Sequence, residues 1–286
     1  MTDIALAPKR KDGWLAELRS LFVLLLAVLA FHGFIAKPFY IPSESMMPGL
    51  LTGDRLIVSK YAYGWSYVSP SFHLLPFMPG RLLGRTPGRG DVVILTPPDD
   101  ARRGDDLIKR VIGLPGDRIA LVGGRLWLNG RPVETRDMGE RLLPVDANAP
   151  CSATGSAGFW GYAGARITGQ DGKTYCRLHV MCETLPNGVS YDTLDFGPSG
   201  EDDFPPYVVP AGHVFLMGDN RDNSADSRVP LARNGLGGAL PIENIGGRAE
   251  FITFSLNGNA GWSPLSWRAG FRAHRTGLSL RPEPAR

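Results

Sequence analysis

Two serines stand between two prolines in the stretch Ile41-Pro42-Ser43-Glu44-Ser45-Met46-Met47-Pro48-Gly49-Leu50. Proline fixes φ and lacks a backbone donor, so Pro42 and Pro48 disfavour a helix here. They hold Ser43 and Ser45 in a rigid loop that is extended or turning. Rigid placement is what a nucleophile needs. Taken alone, the stretch is equally consistent with an ordinary Ser/Pro linker that leaves a membrane segment.

One apolar segment precedes this stretch. Residues 14–36 are mainly apolar and follow a polar leader, residues 1–13, that carries three basic residues, Lys9, Arg10 and Lys11. About 20 helical residues cross the hydrocarbon core of a bilayer. The basic excess on the leading side predicts that the N-terminus is cytoplasmic and the rest of the chain is outside. A cleaved signal peptide is the alternative, with a cleavage site at Val28-Leu29-Ala30. We favour a retained anchor because the apolar run continues past that site.

The composition predicts a turn-rich, mainly β protein. The 286 residues include 36 Gly and 24 Pro, and few long periodic runs follow the N-terminal segment, which indicates short strands joined by turns. The net charge is only +3. Neither a basic stripe interleaved with aromatic residues nor a recognition helix is visible, so we expect no nucleic-acid partner.

The pattern of strands and turns divides the chain after the anchor. Apolar runs bounded by Gly and Pro predict a β-rich core in two parts, residues 37–133 and 207–258. Residues 134–206 are patterned more weakly and are expected to form a β-rich insertion. Residues 259–286 are a basic and aromatic tail, which suits an anionic bilayer surface or a disordered segment. The Pro-rich loop 64–90 either covers the core or contacts the bilayer through Phe72, Leu74, Leu75, Phe77 and Met78.

Three cysteines suit an oxidising compartment without requiring a disulfide scaffold. Cys176 and Cys182 are six residues apart, so we expect them to close a hairpin and leave Cys151 unpaired. No cysteine has the His or Asn pattern of a thiol nucleophile, and no spacing matches a zinc site. The acidic run Asp219–Asp226 lacks the Gly and Glu of a calcium loop. We therefore expect neither a metal nor another cofactor.

A serine nucleophile needs a base within hydrogen-bond reach. None of the five histidines has a recognisable acidic partner, although a Ser-His-Asp triad is assembled only by folding. Lys109 can serve if burial lowers its pKa from about 10.4 toward the working pH. It stands in an apolar run, Leu107 to Ile112, where strand alternation places Lys109 and Arg110 on opposite faces. For an arbitrary Lys-Arg pair, two solvated cations are the more common arrangement.

Four stretches together resemble the motif set of bacterial type I signal (leader) peptidases. They are residues 42–50, residues 53–60, the run Leu107–Asp117 and the segment Gly218–Arg228, in the same order over most of residues 37–255. The resemblance implies a membrane-bound Ser-Lys endopeptidase that removes signal peptides from exported preproteins. It also implies a catalytic domain of coiled antiparallel β-sheets on the periplasmic side of the inner membrane. Signal peptides and membrane lipid are then its partners.

The resemblance assigns roles to the reacting groups. Ser45 is the nucleophile and Lys109 is the general base. The Ser43 hydroxyl and the Ser45 backbone N–H bind the oxyanion, and Ser224 hydrogen-bonds and orients Lys109. Residues with a structural role near the site are Asp219, Asn220, Arg221, Asp226 and Arg228, of which the last two form an ion pair.

The resemblance also implies small apolar pockets that accept alanine-like side chains. Their expected lining is Phe39, Ile41, Pro42, Met46, Leu50, Leu56 and Ile108. The sequence departs from the family pattern at Gly49, where Thr is usual, and at Arg55 and Leu107, which replace aromatic residues. These departures concern the shape of the pockets and leave the reaction unaffected.

Two other functions remain open on the sequence. A Ser-Lys peptidase dedicated to one substrate, such as a conjugation-pilus processing enzyme, has the same general motifs. A catalytically silent β-module, tethered to the membrane and binding exported proteins, also fits the anchor and the fold. Activity that is abolished by Ser45→Ala or Lys109→Ala in a folded protein excludes the silent module.

Overall fold

The structure is a computed structural model that describes residues 13–70, 78–152, 162, 164–259 and 264–284. The basic leader therefore lies outside the described residues, as do Phe72, Leu74, Leu75, Phe77 and Trp262. Among the described residues the helices and strands are, in chain order, α1 Trp14–Phe34, β1 Ala36–Tyr40, β2 Asp54–Ser59, β3 Val92–Leu95, β4 Leu107–Gly113, β5 Arg118–Val122, β6 Arg125–Leu128, β7 Arg131–Pro132, β8 Glu134–Pro144, β9 Arg166–Thr168, β10 Thr174–Thr184, β11 Val189–Leu194, β12 Phe204–Val208, β13 His213–Met217, β14 Leu240–Pro241, β15 Ile245–Ser255, α2 Pro264–Gly270 and β16 Glu283–Pro284.

Helix α1 is apolar and stands away from the β-domain. Its 21 residues are long and apolar enough to cross a membrane, and Gly33 is its one buried residue. Two hydrogen bonds join its C-terminal end to the domain. The Trp65 indole N–H donates to Phe34 O at 2.8 Å, and the Lys60 N–H donates to Ile35 O at 2.9 Å. The helix therefore leads directly into β1.

The strands form three antiparallel sheets. The largest has seven strands in the order β1-β2-β15-β3-β4-β13-β14. A five-stranded sheet contains β16-β11-β10-β8, with β9 paired to β10, and a four-stranded sheet has the order β12-β5-β6-β7. The predicted fold class, mainly β with antiparallel sheets after an N-terminal apolar helix, is confirmed.

Two apolar clusters enclose the loop between β1 and β2. Ile41, Met46 and Leu50 pack with residues of the seven-stranded sheet. Met47 and Leu51 pack instead with a second group from the five-stranded sheet and the residues next to it, which includes Cys151, Cys176, Leu178, Val180 and Leu194. Adjacent residues of one short loop thus belong to two different apolar clusters, which fixes the loop between them.

The region expected to be a β-rich insertion, residues 134–206, supplies strands β8 to β11 of the five-stranded sheet. Strand β12 runs across the expected boundary at residue 206 and pairs with β5 in the four-stranded sheet. Strand β16, from the tail, pairs with β11. The sheets therefore share strands from different parts of the sequence, and the division into domains stays a prediction.

The expected pairing of the cysteines is wrong. The disulfide joins Cys151 to Cys176, with Cα atoms 5.6 Å apart, and Cys182 is free and buried. Cys176 and Cys182 lie in the same strand, β10. Because a strand rises about 3.3 Å per residue, six residues separate their Cα atoms by roughly 20 Å, well beyond the span of a disulfide.

The C-terminal tail is folded onto the domain over residues 264–284, so the alternative of a disordered tail is wrong there. The Gly277 N–H donates to Ile252 O at 2.8 Å and the Leu280 N–H donates to Glu250 O at 2.9 Å, both beside β15. Arg272 and Arg275 are buried and paired with acidic residues. Both cations are therefore unavailable to an anionic lipid surface.

Candidate active site

Ser45 and Lys109 meet in the structure although 64 residues separate them, with Lys109 Nζ at 2.8 Å from Ser45 Oγ. Lys109 lies in β4 opposite Val93 of β3, and Ser45 lies in the loop between β1 and β2. Both side chains are buried, with 3% and 8% of their surface exposed. The contact is therefore a hydroxyl against an amine in surroundings with little water.

Burial lowers the pKa of Lys109 from 10.5 to about 8, because an ammonium ion is poorly solvated there. The carboxylates of Asp226 and Asp219 oppose this shift, and the cation of Arg228 adds to it. An amine with a pKa of about 8 is neutral in roughly a tenth of the molecules at pH 7, whereas an ordinary lysine is neutral in fewer than about one in a thousand. In that form its lone pair can accept the proton of the serine hydroxyl.

A second lysine, Lys60, shows that burial and a lowered pKa do not by themselves identify the candidate general base. It is as buried as Lys109, and burial lowers its pKa to about 8 as well. Its ammonium lies 5.6 Å from the centre of the Phe39 ring, and no hydrogen bond within the described residues joins it to Ser45. What distinguishes Lys109 is its contact with a hydroxyl.

The segment Gly218–Arg228 holds the backbone on either side of the serine. The Asn220 N–H donates to Ser45 O at 3.1 Å. Its side-chain amide donates to Glu44 O and to the Tyr162 hydroxyl, each at 3.1 Å. Asn220 therefore fixes two consecutive peptide groups of the loop. Sequence reasoning placed Asn220 near the site but gave no reason to expect Tyr162, which stands in the weakly patterned region.

Buried ion pairs hold the segment Gly218–Arg228 in place. Arg110 donates to both oxygens of Asp219, at 2.7 and 2.6 Å, and stacks on the ring of Tyr191 at 4.3 Å. The possibility that Lys109 and Arg110 are solvated cations is therefore wrong. Arg221 pairs with Glu183 in the same bidentate manner. Bidentate geometry fixes orientation as well as distance.

The expected ion pair of Asp226 and Arg228 is present, with the two side chains joined at 2.9 and 3.0 Å. Asp226 also accepts the Gly218 N–H at 2.9 Å. Burial alone would raise the pKa of Asp226, but the Arg228 cation and the hydrogen bonds from Arg228 and the Gly218 N–H together bring that pKa below its ordinary value. The pair thus keeps a buried carboxylate ionised near Lys109.

Ser224 does not make the expected hydrogen bond to Lys109. Its hydroxyl is buried and has no partner among the described residues. It packs instead over the Cα of Gly218, where an added Cβ would lie 2.2 Å from Ser224 Oγ and 2.5 Å from Ser45 O. Gly218 therefore lets Ser224 approach the Ser45 loop, which is residues 41–53 between β1 and β2.

The two groups expected to bind an oxyanion are both unengaged within the described part of the chain. Ser43 is exposed, and neither its hydroxyl nor the Ser45 N–H makes a hydrogen bond to another described residue. The Ser45 carbonyl accepts the Asn220 N–H. The role of the Ser43 hydroxyl and the Ser45 N–H in binding an oxyanion stays a prediction.

The structure gathers most of the expected pocket residues into one apolar cluster: Ile41, Met46, Leu50, Leu56 and Ile108 are buried there, with Phe39 packed against them. Pro42 is exposed. Phe39 and Pro42 are therefore the most accessible of the set. A cavity of about 460 Å³ lies beside Met46 and Leu50, but neither Ser45 nor Lys109 lines it.

The tail contributes residues that sequence reasoning missed. Arg275 donates to both oxygens of Asp54, at 2.8 and 2.6 Å, and to Gly49 O at 2.8 Å. Asp54 in turn accepts the Leu51 N–H at 2.8 Å. Arg272 donates to Thr52 O at 2.9 Å. These arginines clamp the C-terminal end of the Ser45 loop. The sequence held one signal for such a contact: Asp54 begins an apolar strand, and a carboxylate that is buried there needs a cation as its partner.

These features define a class of protein: a β-rich serine peptidase, a hydrolase whose serine lies against a buried lysine. Residues 14–254 match the family described as signal peptidase, peptidase S26. The chain belongs to this family.

Two relatives show the extent of the similarity. A signal peptidase I of Rickettsia typhi is 35% identical over 242 residues, which cover 82% of this chain and 77% of the relative. A signal peptidase I of Rickettsia akari is 34% identical, covering 83% and 78%. The crystal structure of a signal peptidase I from Enterococcus faecalis overlaps 57% of this chain and 97% of its own at 23% identity, with a TM-score of 0.27, too low to support a structural argument.

Proposed function

We propose that this chain is a membrane-anchored signal peptidase that removes signal peptides from exported preproteins, with Ser45 as nucleophile and Lys109 as general base. The observation that carries the proposal is the 2.8 Å contact between Lys109 Nζ and Ser45 Oγ. A weak nucleophile and a base of lowered pKa stand within reach of each other, as covalent catalysis requires.

The first half of the reaction forms an acyl-enzyme. Neutral Lys109 takes the proton of Ser45 Oγ as that oxygen attacks the scissile carbonyl carbon. The carbonyl oxygen becomes negatively charged, and in this scheme the Ser45 N–H and the Ser43 hydroxyl donate hydrogen bonds to it. When the C–N bond breaks, the ammonium of Lys109 protonates the leaving amine, which is the new N-terminus of the mature protein.

The second half releases the signal peptide. Lys109, neutral again, takes a proton from water as the water oxygen attacks the ester carbon. The tetrahedral intermediate collapses, Ser45 Oγ leaves, and Lys109 returns a proton to it. Each proton taken is given back, so the enzyme ends the cycle in its starting state without a cofactor in the scheme.

The short connection between helix α1 and Ser45 supports a site that lies close to the membrane surface. Ser45 follows the end of β1 by five residues, and β1 is joined to α1 through Ile35. The nine residues from Ala36 to Ser45 reach at most about 30 Å if fully extended. With the basic leader in the cytoplasm, the domain stands on the periplasmic side of the inner membrane, where signal peptides emerge.

The test of this function is cleavage of a preprotein with an Ala-x-Ala site by the full-length protein in lipid vesicles. We expect one cut, after the second alanine, identified by the mass of both products. Ser45→Ala removes the nucleophile and should leave the preprotein intact. Cleavage that survives Ser45→Ala contradicts the proposed nucleophile. Failure of a folded wild type to cut the preprotein would favour a dedicated substrate or the silent module.

A further inference from the structure

One tyrosine from the weakly patterned region reaches the Ser45 loop. Tyr162 stands 115 residues after Met47 in the sequence, yet both belong to the apolar cluster that also contains Leu51. The Tyr162 ring meets Phe196 edge to face, with ring centroids 5.1 Å apart. Only 4% of Tyr162 is exposed. Packing therefore holds the body of this residue against the loop, and its hydroxyl makes the polar contacts.

The Tyr162 hydroxyl contacts the loop on both sides of Ser45. It hydrogen-bonds the Glu44 carboxylate, and it lies 3.5 Å from Met47 Sδ. It also accepts the side-chain amide of Asn220 at 3.1 Å. Burial and the Glu44 carboxylate raise the pKa of Tyr162, so the hydroxyl keeps its proton and can donate it to the carboxylate.

The Glu44 carboxylate links this hydroxyl to the nucleophile. Glu44 is half-buried and immediately precedes Ser45. Burial raises the pKa of Glu44, and the hydrogen bonds from Tyr162 and Asn223 oppose that effect. The Asn223 amide donates to Glu44 Oε2 at 3.2 Å. A carboxylate withdrawn from water needs such donors, so loss of the Tyr162 hydroxyl removes one of the two side chains that fix the residue before Ser45.

The disulfide between Cys151 and Cys176 fixes the two segments that the Tyr162 backbone contacts. The Tyr162 N–H donates at 2.7 Å to the carbonyl of the residue that follows Cys151. The Ala165 N–H donates to Tyr162 O at 3.0 Å, and Ala165 O accepts at 2.7 Å the N–H of the residue that follows Cys176. The disulfide therefore joins the two ends of a hydrogen-bonded path that runs through Tyr162.

We propose that Tyr162 is a positioning residue for Ser45, and that the Cys151–Cys176 disulfide holds Tyr162 where its hydroxyl reaches Glu44. No hydrogen bond within the described part of the chain joins this hydroxyl to the reacting groups, so it acts through the Glu44 carboxylate and the backbone of the Ser45 loop. The rate of cleavage then depends on whether the two cysteines are bonded. The inference rests on the proposed function, because it concerns the placement of the nucleophile.

The first measurement removes one hydroxyl from the full-length protein in lipid vesicles. Tyr162→Phe keeps the ring in its apolar cluster and deletes the contact with Glu44. We expect kcat for cleavage of an Ala-x-Ala preprotein to fall about tenfold, because a misplaced nucleophile reacts slowly, while KM stays within about twofold. Tyr175→Phe is the matched control, since the Tyr175 hydroxyl also donates to a carboxylate, Asp171 Oδ2 at 2.7 Å, but at an exposed position. Its kcat should equal that of the wild type.

Three results would overturn the positioning role. Equal kcat for Tyr162→Phe and Tyr175→Phe, with an active wild type, contradicts it and leaves the proposed function intact. A kcat for Tyr162→Phe that falls only in proportion to the folded fraction, measured by urea unfolding, means that the hydroxyl merely stabilises the fold. Absence of cleavage by a folded wild type overturns the proposed function, and the positioning role with it.

The second measurement tests the disulfide by a cycle of variants. Cys151→Ala and Cys176→Ala, introduced together, should lower kcat about as much as Tyr162→Phe does. Adding Tyr162→Phe to them should lower kcat further by less than about twofold, because both changes release the same contact. Losses that multiply, or an unchanged kcat without the disulfide, would show that the disulfide does not act through Tyr162.

Reduction of the disulfide replaces the cysteine variants if they do not fold. The wild type and Tyr162→Phe are then compared before and after treatment with dithiothreitol in urea below the unfolding transition. Alkylation after full denaturation should count one thiol in the oxidised protein and three in the reduced protein. We expect reduction to lower kcat of the wild type and to change that of Tyr162→Phe little. Equal losses in both proteins contradict the proposed link.

Discussion

At the residue scale, the site depends on one buried amine placed against one hydroxyl. Lys109 and Lys60 share burial and a lowered pKa, yet only Lys109 hydrogen-bonds Ser45. In the proposed mechanism, burial favours the neutral amine of Lys109, and its contact with Ser45 lets that amine act as the base. The carboxylates of Asp226 and Asp219 keep the pKa of Lys109 from falling further, so the ammonium can still form when the leaving amine needs a proton.

The lowered pKa of Lys109 predicts the pH dependence of the reaction. Only the neutral amine accepts the serine proton, so kcat/KM should rise with pH and level off above about 8, where Lys109 is deprotonated. The measurement is a pH profile of peptide cleavage in detergent between pH 6 and pH 10. A rise that continues toward pH 10.5, the ordinary value of a lysine, would mean that the base is not desolvated.

The same shift predicts a gain in stability on removing the base. Between the folded pKa of about 8 and the ordinary 10.5, the unfolded chain binds more protons, so wild-type stability rises with pH in this window and is lowest below it. Lys109→Met should therefore raise the free energy of unfolding at pH 7 by up to about 3 kcal/mol. Urea unfolding at pH 7 and pH 10.5 checks this, with the gain disappearing at the higher pH. A destabilised Lys109→Met protein at pH 7 would contradict the account.

Single residues were predictable where a short stretch determined their surroundings. The prolines around Ser45 and the apolar run around Lys109 are local features, so both residues could be selected from sequence. Arg275 could not, because its partner Asp54 lies 221 residues earlier and the tail has no pattern that points to it. The predicted hydrogen bond from Ser224 to Lys109 was wrong for a similar reason, because the direction of the Ser224 hydroxyl depends on its packing over Gly218.

At the scale of elements, the Ser45 loop between β1 and β2 is held at both ends by segments that are distant in sequence. Asn220 fixes the backbone at Glu44 and Ser45, and Arg275 fixes Gly49 and Asp54. The loop also gives neighbouring side chains to two different apolar clusters. The Ser45 hydroxyl thereby acquires the fixed position that the proposed reaction demands.

Arg275→Ala tests this clamp. It leaves Asp54 buried and unpaired, which should cost about 3 to 5 kcal/mol of stability. It should also lower kcat more than it raises KM, because the loop that carries Ser45 loses a fixed point. Arg281→Ala is the matched control: Arg281 pairs with Glu250 but is 61% exposed, so about 1 kcal/mol or less is expected. Urea unfolding and steady-state kinetics measure both variants.

Equal effects of Arg275→Ala and Arg281→Ala would contradict the clamp. Arg275→Lys separates charge from geometry, since lysine keeps the charge but cannot donate to Asp54 and Gly49 in the same forked arrangement. We expect it to recover part of the stability and little of kcat. Full recovery of kcat by Arg275→Lys would mean that the charge alone positions the loop.

The sequence predicted whether a segment forms a strand better than it predicted which residues that segment contacts. The run Leu107–Ile112 was correctly predicted to be a strand, and it lies within β4. The cysteine spacing misled because a six-residue interval suits a hairpin, whereas β10 runs straight through both positions for 11 residues. The tail was misjudged because its arginines resemble a solvated charge run until the buried Asp54 and the half-buried Asp146 are placed opposite them.

At the scale of the whole molecule, an apolar helix leads straight into the sheet that carries the site. The mainly β class followed from composition, but the order of the seven-stranded sheet did not. Strands β2 and β15 pair across the whole domain, as Arg248 opposite Ser59 shows, and nothing local in either strand specifies the other.

The central claim, that Lys109 is the base for Ser45, is tested most directly by comparing two buried lysines. Initial rates of preprotein cleavage are measured for wild type, Lys109→Met and Lys60→Met, with folding checked by urea unfolding. A general base contributes roughly 10² to 10⁴ in rate, so Lys109→Met should lose at least about a hundredfold. Lys60→Met should retain activity within about tenfold, since Lys60 does not contact the serine. Comparable losses in both variants, or full activity in Lys109→Met, would contradict the account.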